Sequence, residues 1–130
     1  MIDVGAGAGF PGAVLAIALP ALRVTCIDGV AKKVAFLQTL KRTIAPNLEA
    51  LHLRVEAVDR QYAAAVSRAT WDPPVWLRHG APLVEPGGVL IAMQTADAPP
   101  LAVPRGFEAL LPIPYCVGGA NRRLQPFRRV

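Results

Sequence analysis

Residues 1–12, MIDVGAGAGFPG, decide the fold of this chain. The apolar residues around Asp3 predict the end of a buried strand, and the apolar run over residues 13–19 predicts a helix. Gly5, Gly7 and Gly9 predict a tight turn between them, because glycine tolerates positive φ and has no Cβ to keep a ligand away. A strand, a glycine turn and a helix in this order bring a ligand against bare backbone at a helix N-terminus.

The acidic residue two positions before the first glycine narrows the choice of ligand. A carboxylate at Asp3 would repel a pyrophosphate, whereas S-adenosylmethionine (AdoMet) carries an ammonium group and a sulfonium that a carboxylate attracts. The pattern therefore favours AdoMet over NAD as the cofactor. An NAD-binding module and a purely structural strand-to-helix turn are the alternatives.

Length and composition indicate one α/β domain spanning residues 1–130, with a sheet buried on both faces. Cys26 and Cys116 lack a metal-type spacing, so we expect reduced core thiols, no metal and a cytoplasmic location. No apolar run approaches the length of a membrane span, so we expect no membrane partner. The net charge of +5 favours a polyanion partner. We expect a monomer.

Apolar periodicity and turn residues predict the elements along the chain. Helices are expected over residues 11–19, 32–44 and 73–83, and strands over 2–4, 22–28, 50–55, 62–68 and 89–94. Two final antiparallel strands, over 106–114 and 124–127, are joined by residues 117–121. The chain is thus expected to form a mostly parallel sheet of about seven strands with flanking helices.

The second strand ends on an acid. Asp28 lies about twenty residues beyond the glycine loop, where a carboxylate at a strand end can hydrogen-bond both ribose hydroxyls. The alternative is that Asp28 caps the following helix. A residue just past the third strand, near Glu56, is expected to reach toward the adenine of a bound nucleoside.

Longer motifs resemble the RsmG (GidB) family, bacterial methyltransferases of small-subunit ribosomal RNA. They are Asp-Val-Gly-x-Gly-x-Gly-Phe-Pro-Gly at 3–12, Ile-Asp-x-x-x-Lys-Lys-Val-x-Phe-Leu at 27–37, Arg-Val-Glu at 54–56 and Ser-Arg-Ala at 67–69. The resemblance implies a Rossmann-like class I AdoMet methyltransferase fold with a C-terminal antiparallel hairpin. It implies N7-methylation of one guanine in 16S rRNA, presented free or in the 30S ribosomal subunit. Its cofactor positions fall on Gly5, Phe10, Val55, Glu56 and Arg68.

The sequence departs from the family pattern in places. The family's N-terminal helical segment is absent, so the chain is expected to be N-terminally shortened. The fifth strand ends in Gln94-Thr95, where the family has a Lys-Gly pair, which removes a positive charge. A catalytically impaired, truncated paralogue that binds AdoMet, RNA or both is therefore the alternative.

The implied chemistry makes few demands on side chains. Guanine N7 has an exposed lone pair at neutral pH, so no general base is required, and we assign no certain catalytic residue. His52 and His79 are expected to be structural. Arg68 is a candidate for substrate positioning, with the methionine carboxylate, the RNA phosphate, the guanine or Glu56 as its partner. Residues 72–75, Asp-Pro-Pro-Val, only approach the motif of exocyclic-amine methyltransferases and are better explained as a helix start.

Positive charge is concentrated late in the chain. We expect these arginines to hold RNA phosphate, with a solvated basic tail as the alternative. They are Arg122, Arg123, Arg128 and Arg129.

Overall fold

The structure of the protein is a computed structural model that describes residues 1–130. The chain divides into two compact units, Met1–Arg60 and Gln61–Val130.

The first unit alternates strands with helices. It contains β1 (Ile2–Val4), α1 (Gly12–Ala18), β2 (Val24–Asp28), α2 (Ala31–Thr43), β3 (Leu48–His52) and a one-turn 3-10 helix (Val55–Ala57). β2 pairs in parallel with β1 on one side and with β3 on the other. Parallel neighbours joined by helices are the βαβ arrangement that the sequence predicts.

The core of the first unit lies around β2, in which every residue is buried. Leu37 of α2 is fully buried against this core, as is Ala16 of α1. The amide of Asn47 donates hydrogen bonds to carbonyls at the C-terminal end of α1, which fixes the return of the chain into β3. The parallel pairing of β1 with β2 places their carboxyl ends side by side.

The second unit begins with a parallel pair and continues antiparallel. Its elements are β4 (Tyr62–Val66), α3 (Pro73–Gly80), a 3-10 turn (Ala81–Leu83), β5 (Val84–Thr95), β6 (Phe107–Ala109), β7 (Ile113–Val117) and β8 (Ala120–Arg129). β4 pairs in parallel with β5, and β5 pairs antiparallel with β8. β6 and β7 both pair antiparallel with β8.

Helix α3 packs closely on β5. Trp76 is buried, and its indole N–H donates a 2.8 Å hydrogen bond to the carbonyl of Ile91. A Cβ on Gly80 would lie 2.5 Å from the side chain of Leu90, so only glycine permits this approach. The hydrogen bond and the close contact together fix the orientation of α3.

The α/β class and the C-terminal antiparallel strands are confirmed, but several boundaries differ. The chain has eight strands rather than about seven, since the strand predicted over 106–114 is divided into β6 and β7. β3 ends at His52, and Val55 begins a 3-10 turn instead of closing the strand. α3 ends at Gly80, three residues before the predicted end at 83.

The largest boundary error lies in β5, which begins at Val84 and not at residue 89. The Pro86-Gly87-Gly88 sequence lies inside β5, where the pairing of β4 with β5 is irregular. Gly87 has a φ of +80° there. Turn residues inside a strand often form such a bulge when both flanks remain paired.

The two cysteines have different environments. Cys26 is buried in β2, as predicted, whereas Cys116 is exposed on β7. The prediction of a second core thiol was therefore wrong, because every residue of β7 is exposed. None of the helices combines the length and apolar character needed to cross a membrane.

Candidate functional site

The glycine loop is tied to the carboxyl end of β2 through its backbone. The N–H groups of Gly5 and Ala6 both donate to the carbonyl of Ile27, at 2.9 and 3.1 Å. Gly5, Gly7 and Gly9 have φ values of +70°, +55° and +92°, which favour glycine. The loop is therefore a fixed turn and has the positive-φ backbone that the sequence predicts.

The glycines of this segment are required for different steric reasons. A Cβ on Gly9 would lie 2.5 Å from the Cβ of Ala13, and one on Gly12 would lie 2.5 Å from the sulfur of Cys26. Both positions require glycine so that α1 can pack. A Cβ on Gly7 would meet only the carbonyl oxygen of Gly5, at 3.9 Å. Gly7 therefore faces open space, where a ligand can approach the backbone.

Asp3 is hydrogen-bonded to the backbone directly after the loop. Its side chain is fully buried, and the carboxylate accepts a 2.8 Å hydrogen bond from the N–H of Gly12 at the start of α1. The sequence predicts that a carboxylate at Asp3 favours a nearby cationic ligand, and because the side chain is buried, this effect would be exerted through its charge. Its negative charge contributes to the electrostatic potential at the loop. Burial, reinforced by this charge, raises the pKa of the Cys26 thiol far above its ordinary value.

Asp28 lies at the carboxyl end of β2 and faces the loop. One carboxylate oxygen accepts a 3.0 Å hydrogen bond from Gly7 N–H, and the other accepts a 2.9 Å hydrogen bond from Val30 N–H. Val30 is the N-cap residue of α2, and no side chain caps this helix, so Asp28 is not a helix cap. A carboxylate oxygen has two lone pairs, so each oxygen retains capacity for a further donor.

The other predicted cofactor residues of the first unit lie directly after the loop and in the turn after β3. Phe10 follows Gly9 directly, and about half of its surface is exposed. Val55 is buried and Glu56 exposed in the 3-10 turn after β3. Leu53 N–H donates to the carbonyl of Asp28, which attaches the segment after β3 to the end of β2.

The second unit contains a cavity of about 830 Å³ at the carboxyl end of β4. Arg68, two residues past that strand, is exposed and lines the cavity. The cavity volume falls in the range typical of small-molecule sites. Other residues that line the cavity include Trp71, Asp72, Trp76, Gln94, Tyr115 and Arg122.

The structure does not bring the four predicted RNA-binding arginines together. Arg122 is exposed and lines the cavity. Arg128 is exposed and lies 3.8 Å from the carboxylate of Glu108, while Arg129 donates to the carbonyl of Val84. Neighbouring residues of a strand point to opposite faces, so β8 cannot present all four side chains on one surface.

Arg123 has an internal role. Its guanidinium donates to the side-chain oxygen of Gln94 and to the carbonyls of Ala98 and Pro99, at 2.8 to 3.4 Å. Gln94 is itself buried and donates to the Pro99 carbonyl. A cation thus lies beside Gln94 at the end of β5, where the sequence predicts the loss of a positive charge.

Neither histidine is positioned as an evident base. His52 Nε2 lies 3.0 Å from the carbonyl of Gly29, and the ring of His79 stacks on Trp71 with 4.7 Å between centroids. No cluster of His, Cys, Asp or Glu side chains could hold a metal ion. Trp71 and Tyr115 line the cavity but were not predicted from the sequence as site residues. The position of Trp71, next to the Asp-Pro-Pro sequence after β4, is the signal that would have identified it.

The comparisons with known proteins concern both sequence and fold. The family model of GidB, rRNA small subunit methyltransferase G, matches residues 1–99. The ribosomal RNA small subunit methyltransferase G of Albidiferax ferrireducens is 41% identical over 98 residues, covering 75% of this chain and 44% of that protein. The protein of the same name from Myxococcus xanthus is 41% identical over 99 residues, covering 72% of this chain and 46% of the relative. The chain thus spans about half the length of the curated relatives it matches.

Solved methyltransferase structures share the fold. TrmN from Thermus thermophilus superposes with a TM-score of 0.76 at 18% identity, covering 99% of this chain and 43% of that chain. The glycopeptide N-methyltransferase MtfA, complexed with S-adenosyl-L-homocysteine, gives a TM-score of 0.75 at 12% identity and covers 99% of this chain and 82% of that chain. The Rossmann-like class I methyltransferase fold is therefore confirmed.

Proposed function

We propose that this chain, which belongs to the GidB family, rRNA small subunit methyltransferase G, transfers a methyl group from AdoMet to N7 of a guanine in 16S rRNA. The observation that carries the proposal is the pairing of the glycine loop with Asp28. Gly7 offers open backbone, and its N–H is held by the carboxylate that closes β2. A cytoplasmic location follows from a substrate that is free 16S rRNA or the 30S subunit.

The residues of the first unit fit AdoMet. Asp28 retains lone pairs for the ribose hydroxyls, and a carboxylate at a strand end is suited to that contact. The exposed backbone at Gly7 suits the methionine part, where a Cβ would otherwise intervene. Val55 and Glu56 would flank the adenine. Asp3, held by the N–H of Gly12, contributes a buried negative charge that favours a cationic cofactor.

AdoMet, when bound, supplies an electrophilic methyl group. The chain has to hold the acceptor base in line with that group, and orientation of this kind supplies much of the rate enhancement of such reactions. Guanine N7 needs no deprotonation, which agrees with the structural contacts that engage both His52 and His79. Arg68 is proposed to position the substrate, since it is exposed and lines the cavity of the second unit.

The RNA surface is proposed to depend on a subset of the predicted arginines. Arg122 and Arg128 are exposed on β8, whereas Arg123 and Arg129 donate to carbonyls within the second unit. Phosphate contacts from exposed arginines would make RNA binding strongly dependent on salt. The target guanine would be presented from a single-stranded loop.

The deciding experiment is calorimetric titration of the purified chain with AdoMet, with NADH as the comparison. We expect AdoMet to bind, NADH not to bind, and Asp28→Asn to weaken AdoMet binding by about tenfold or more, because charge-assisted hydrogen bonds are lost. Asp59→Asn, which removes an exposed carboxylate of the same unit, is the matched control and should bind normally. Binding of NADH in place of AdoMet would contradict the cofactor assignment.

The acceptor is tested with labelled AdoMet and 30S subunits that lack the N7-methylguanine. We expect the label in 16S rRNA, at N7-methylguanosine by nucleoside mass spectrometry. AdoMet binding without incorporation would contradict the methyltransferase activity of this chain. Label at an exocyclic amine would contradict the N7 assignment.

A further inference from the structure

We infer that the cavity of the second unit is the pocket for the guanine that is methylated. Trp71 would be the surface on which the guanine stacks, and the Asp72 carboxylate would accept hydrogen bonds from the Watson–Crick edge of the base. The inference rests on the proposed function and adds the residues that would select the base. All the residues that line this cavity belong to the second unit, Gln61–Val130.

The first observation is a fixed aromatic wall. Trp71 lies nearly parallel to Trp76, with 6.1 Å between ring centroids and 9° between planes, and it also stacks on His79. Trp76 is anchored by its hydrogen bond to Ile91. Both tryptophans line the cavity, and Tyr115 contributes a further ring from β7. Aromatic rings held in place in this way are the surfaces on which proteins stack unpaired bases.

The second observation is an aspartate at a helix N-cap whose side chain forms no capping hydrogen bond. Asp72 is the N-cap residue of α3, a position where aspartate commonly accepts a hydrogen bond from the first helical turn. Its carboxylate makes no capping hydrogen bond, and Asp72 is exposed and lines the cavity next to Trp71. The carboxylate therefore remains available to donors that enter the cavity.

These two groups match one base better than the others. Guanine presents N1–H and the N2 amino group as neighbouring donors, which pair with the two oxygens of a carboxylate. Adenine presents an acceptor at N1, which a carboxylate repels. A base held by its Watson–Crick edge leaves N7, on the opposite edge, open to the methyl donor. The pocket would thus select guanine and orient it.

Arg122 supplies the opposite charge at the cavity wall. It pairs in register with Thr95 of β5 and Tyr115 of β7, and its side chain is exposed. A guanidinium beside an aromatic pocket is suited to the phosphate of the bound nucleotide. The cavity therefore combines a stacking surface, a carboxylate for the base and a cation for the backbone.

Intrinsic fluorescence tests the cavity directly, because the protein has two tryptophans and both line it. The probe is a short single-stranded oligouridine RNA with one central guanosine. Matched RNAs carry adenosine or inosine at that position, and inosine lacks the 2-amino group. We expect the guanosine RNA to quench the fluorescence and to bind about tenfold more tightly than the adenosine RNA, with inosine between them.

Variants assign the contacts, with affinities measured by anisotropy of end-labelled RNA. Trp71→Leu should weaken binding of the guanosine RNA by about tenfold, the effect expected for losing one stacked base. Asp72→Asn should remove most of the preference for guanosine over adenosine. Glu85→Gln neutralises an exposed carboxylate of the same unit that does not line the cavity, and it should leave both properties unchanged.

Equal affinity for the three RNAs, or wild-type selectivity in Asp72→Asn, would overturn the inference. Asp72 is exposed and makes no capping hydrogen bond, so this variant should fold even if Trp71→Leu does not. AdoMet is titrated into the same preparations. If the wild type binds AdoMet normally but does not select guanine, only the assignment of the guanine pocket is contradicted. If the wild type does not bind AdoMet, the proposed function is contradicted.

Discussion

The glycine loop of the first unit and the cavity of the second unit are built in opposite ways. The loop consists of backbone held by two buried carboxylates, Asp3 and Asp28, with positive φ at three glycines. The cavity is walled by side chains that come from separate segments of residues 67–122. The loop depends on the absence of a Cβ at its glycines, whereas the cavity depends on the side chains that line it.

This difference indicates how each site would tolerate change. A glycine that prevents a clash has no substitute, so the loop should be sensitive to single methyl groups. The cavity can exchange side chains at a smaller cost in stability, so its residues are suited to setting specificity.

The first prediction compares the two thiols. Cys26, within the buried core of the first unit, should react with a thiol reagent only when the protein opens, whereas Cys116 is exposed on β7. Opening the core requires several kcal/mol, so the two rates should differ by more than about a thousandfold. We expect one rapidly modified thiol in the native protein and two in denaturant. Rapid modification of both thiols would show that the first unit is not tightly closed.

The second prediction separates packing from ligand approach within the loop. Gly12→Ala places a Cβ about 2.5 Å from the sulfur of Cys26 and 2.8 Å from Asp3, so we expect a loss of about 3 kcal/mol in the free energy of unfolding. Urea denaturation measures this loss.

Gly7→Ala is the matched comparison. Its Cβ meets nothing closer than 3.9 Å, so only the positive φ should cost stability, about 1 kcal/mol. AdoMet affinity should nevertheless fall, because the methyl group occupies the proposed approach to the loop backbone. Equal stabilities of the two variants would contradict the different roles assigned to Gly7 and Gly12.

The third prediction divides the arginines of the second unit. Arg123→Gln should lower the free energy of unfolding by about 1–2 kcal/mol, because Gln94 loses its donors and residues 98–99 lose theirs. Arg122→Gln should change the free energy of unfolding by less than about 0.5 kcal/mol. It should reduce the slope of log RNA affinity against log salt concentration by about one. The reverse result would assign Arg122 the structural role and Arg123 the RNA contact.

The fourth prediction concerns a side-chain contact in the first unit. Burial alone would raise the pKa of Glu49, but hydrogen bonds from Thr25 and Arg60 and the charges of Arg60 and Lys41 lower it below its ordinary value. A lowered pKa stabilises the folded protein above the unfolded pKa, and this contribution is lost as the pH falls through the folded pKa. The ion pair with Arg60 is about half exposed, so its contribution should be below about 1 kcal/mol.

The measurement compares Glu49→Gln with the wild type in urea over a series of pH values from neutral to acid. We expect a small difference at neutral pH that shrinks as the pH falls through the folded pKa and the wild-type carboxyl becomes protonated. A difference that persists in acid would mean that Glu49 acts through packing and not through its charge.

Local sequence was sufficient for the alternation of strands and helices in residues 1–60 and for the glycine loop. Positive φ at Gly5, Gly7 and Gly9 is a property of the residue type, and β2 is marked by its β-branched, apolar run. The placement of Asp28 at a strand end follows from the same pattern. These features depend on neighbours in the chain, so they can be derived without knowledge of distant contacts.

Tertiary structure decided what each charged or turn residue does. Arg122 and Arg123 are adjacent in sequence, yet only pairing with β5 and the course of residues 96–104 direct Arg123 to the carbonyls of Ala98 and Pro99. Pro86-Gly87-Gly88 reads as a break, but β5 continues because β4 and β8 pair with it. Partners remote in sequence set these outcomes, since hydrogen bonds between strands override local preference.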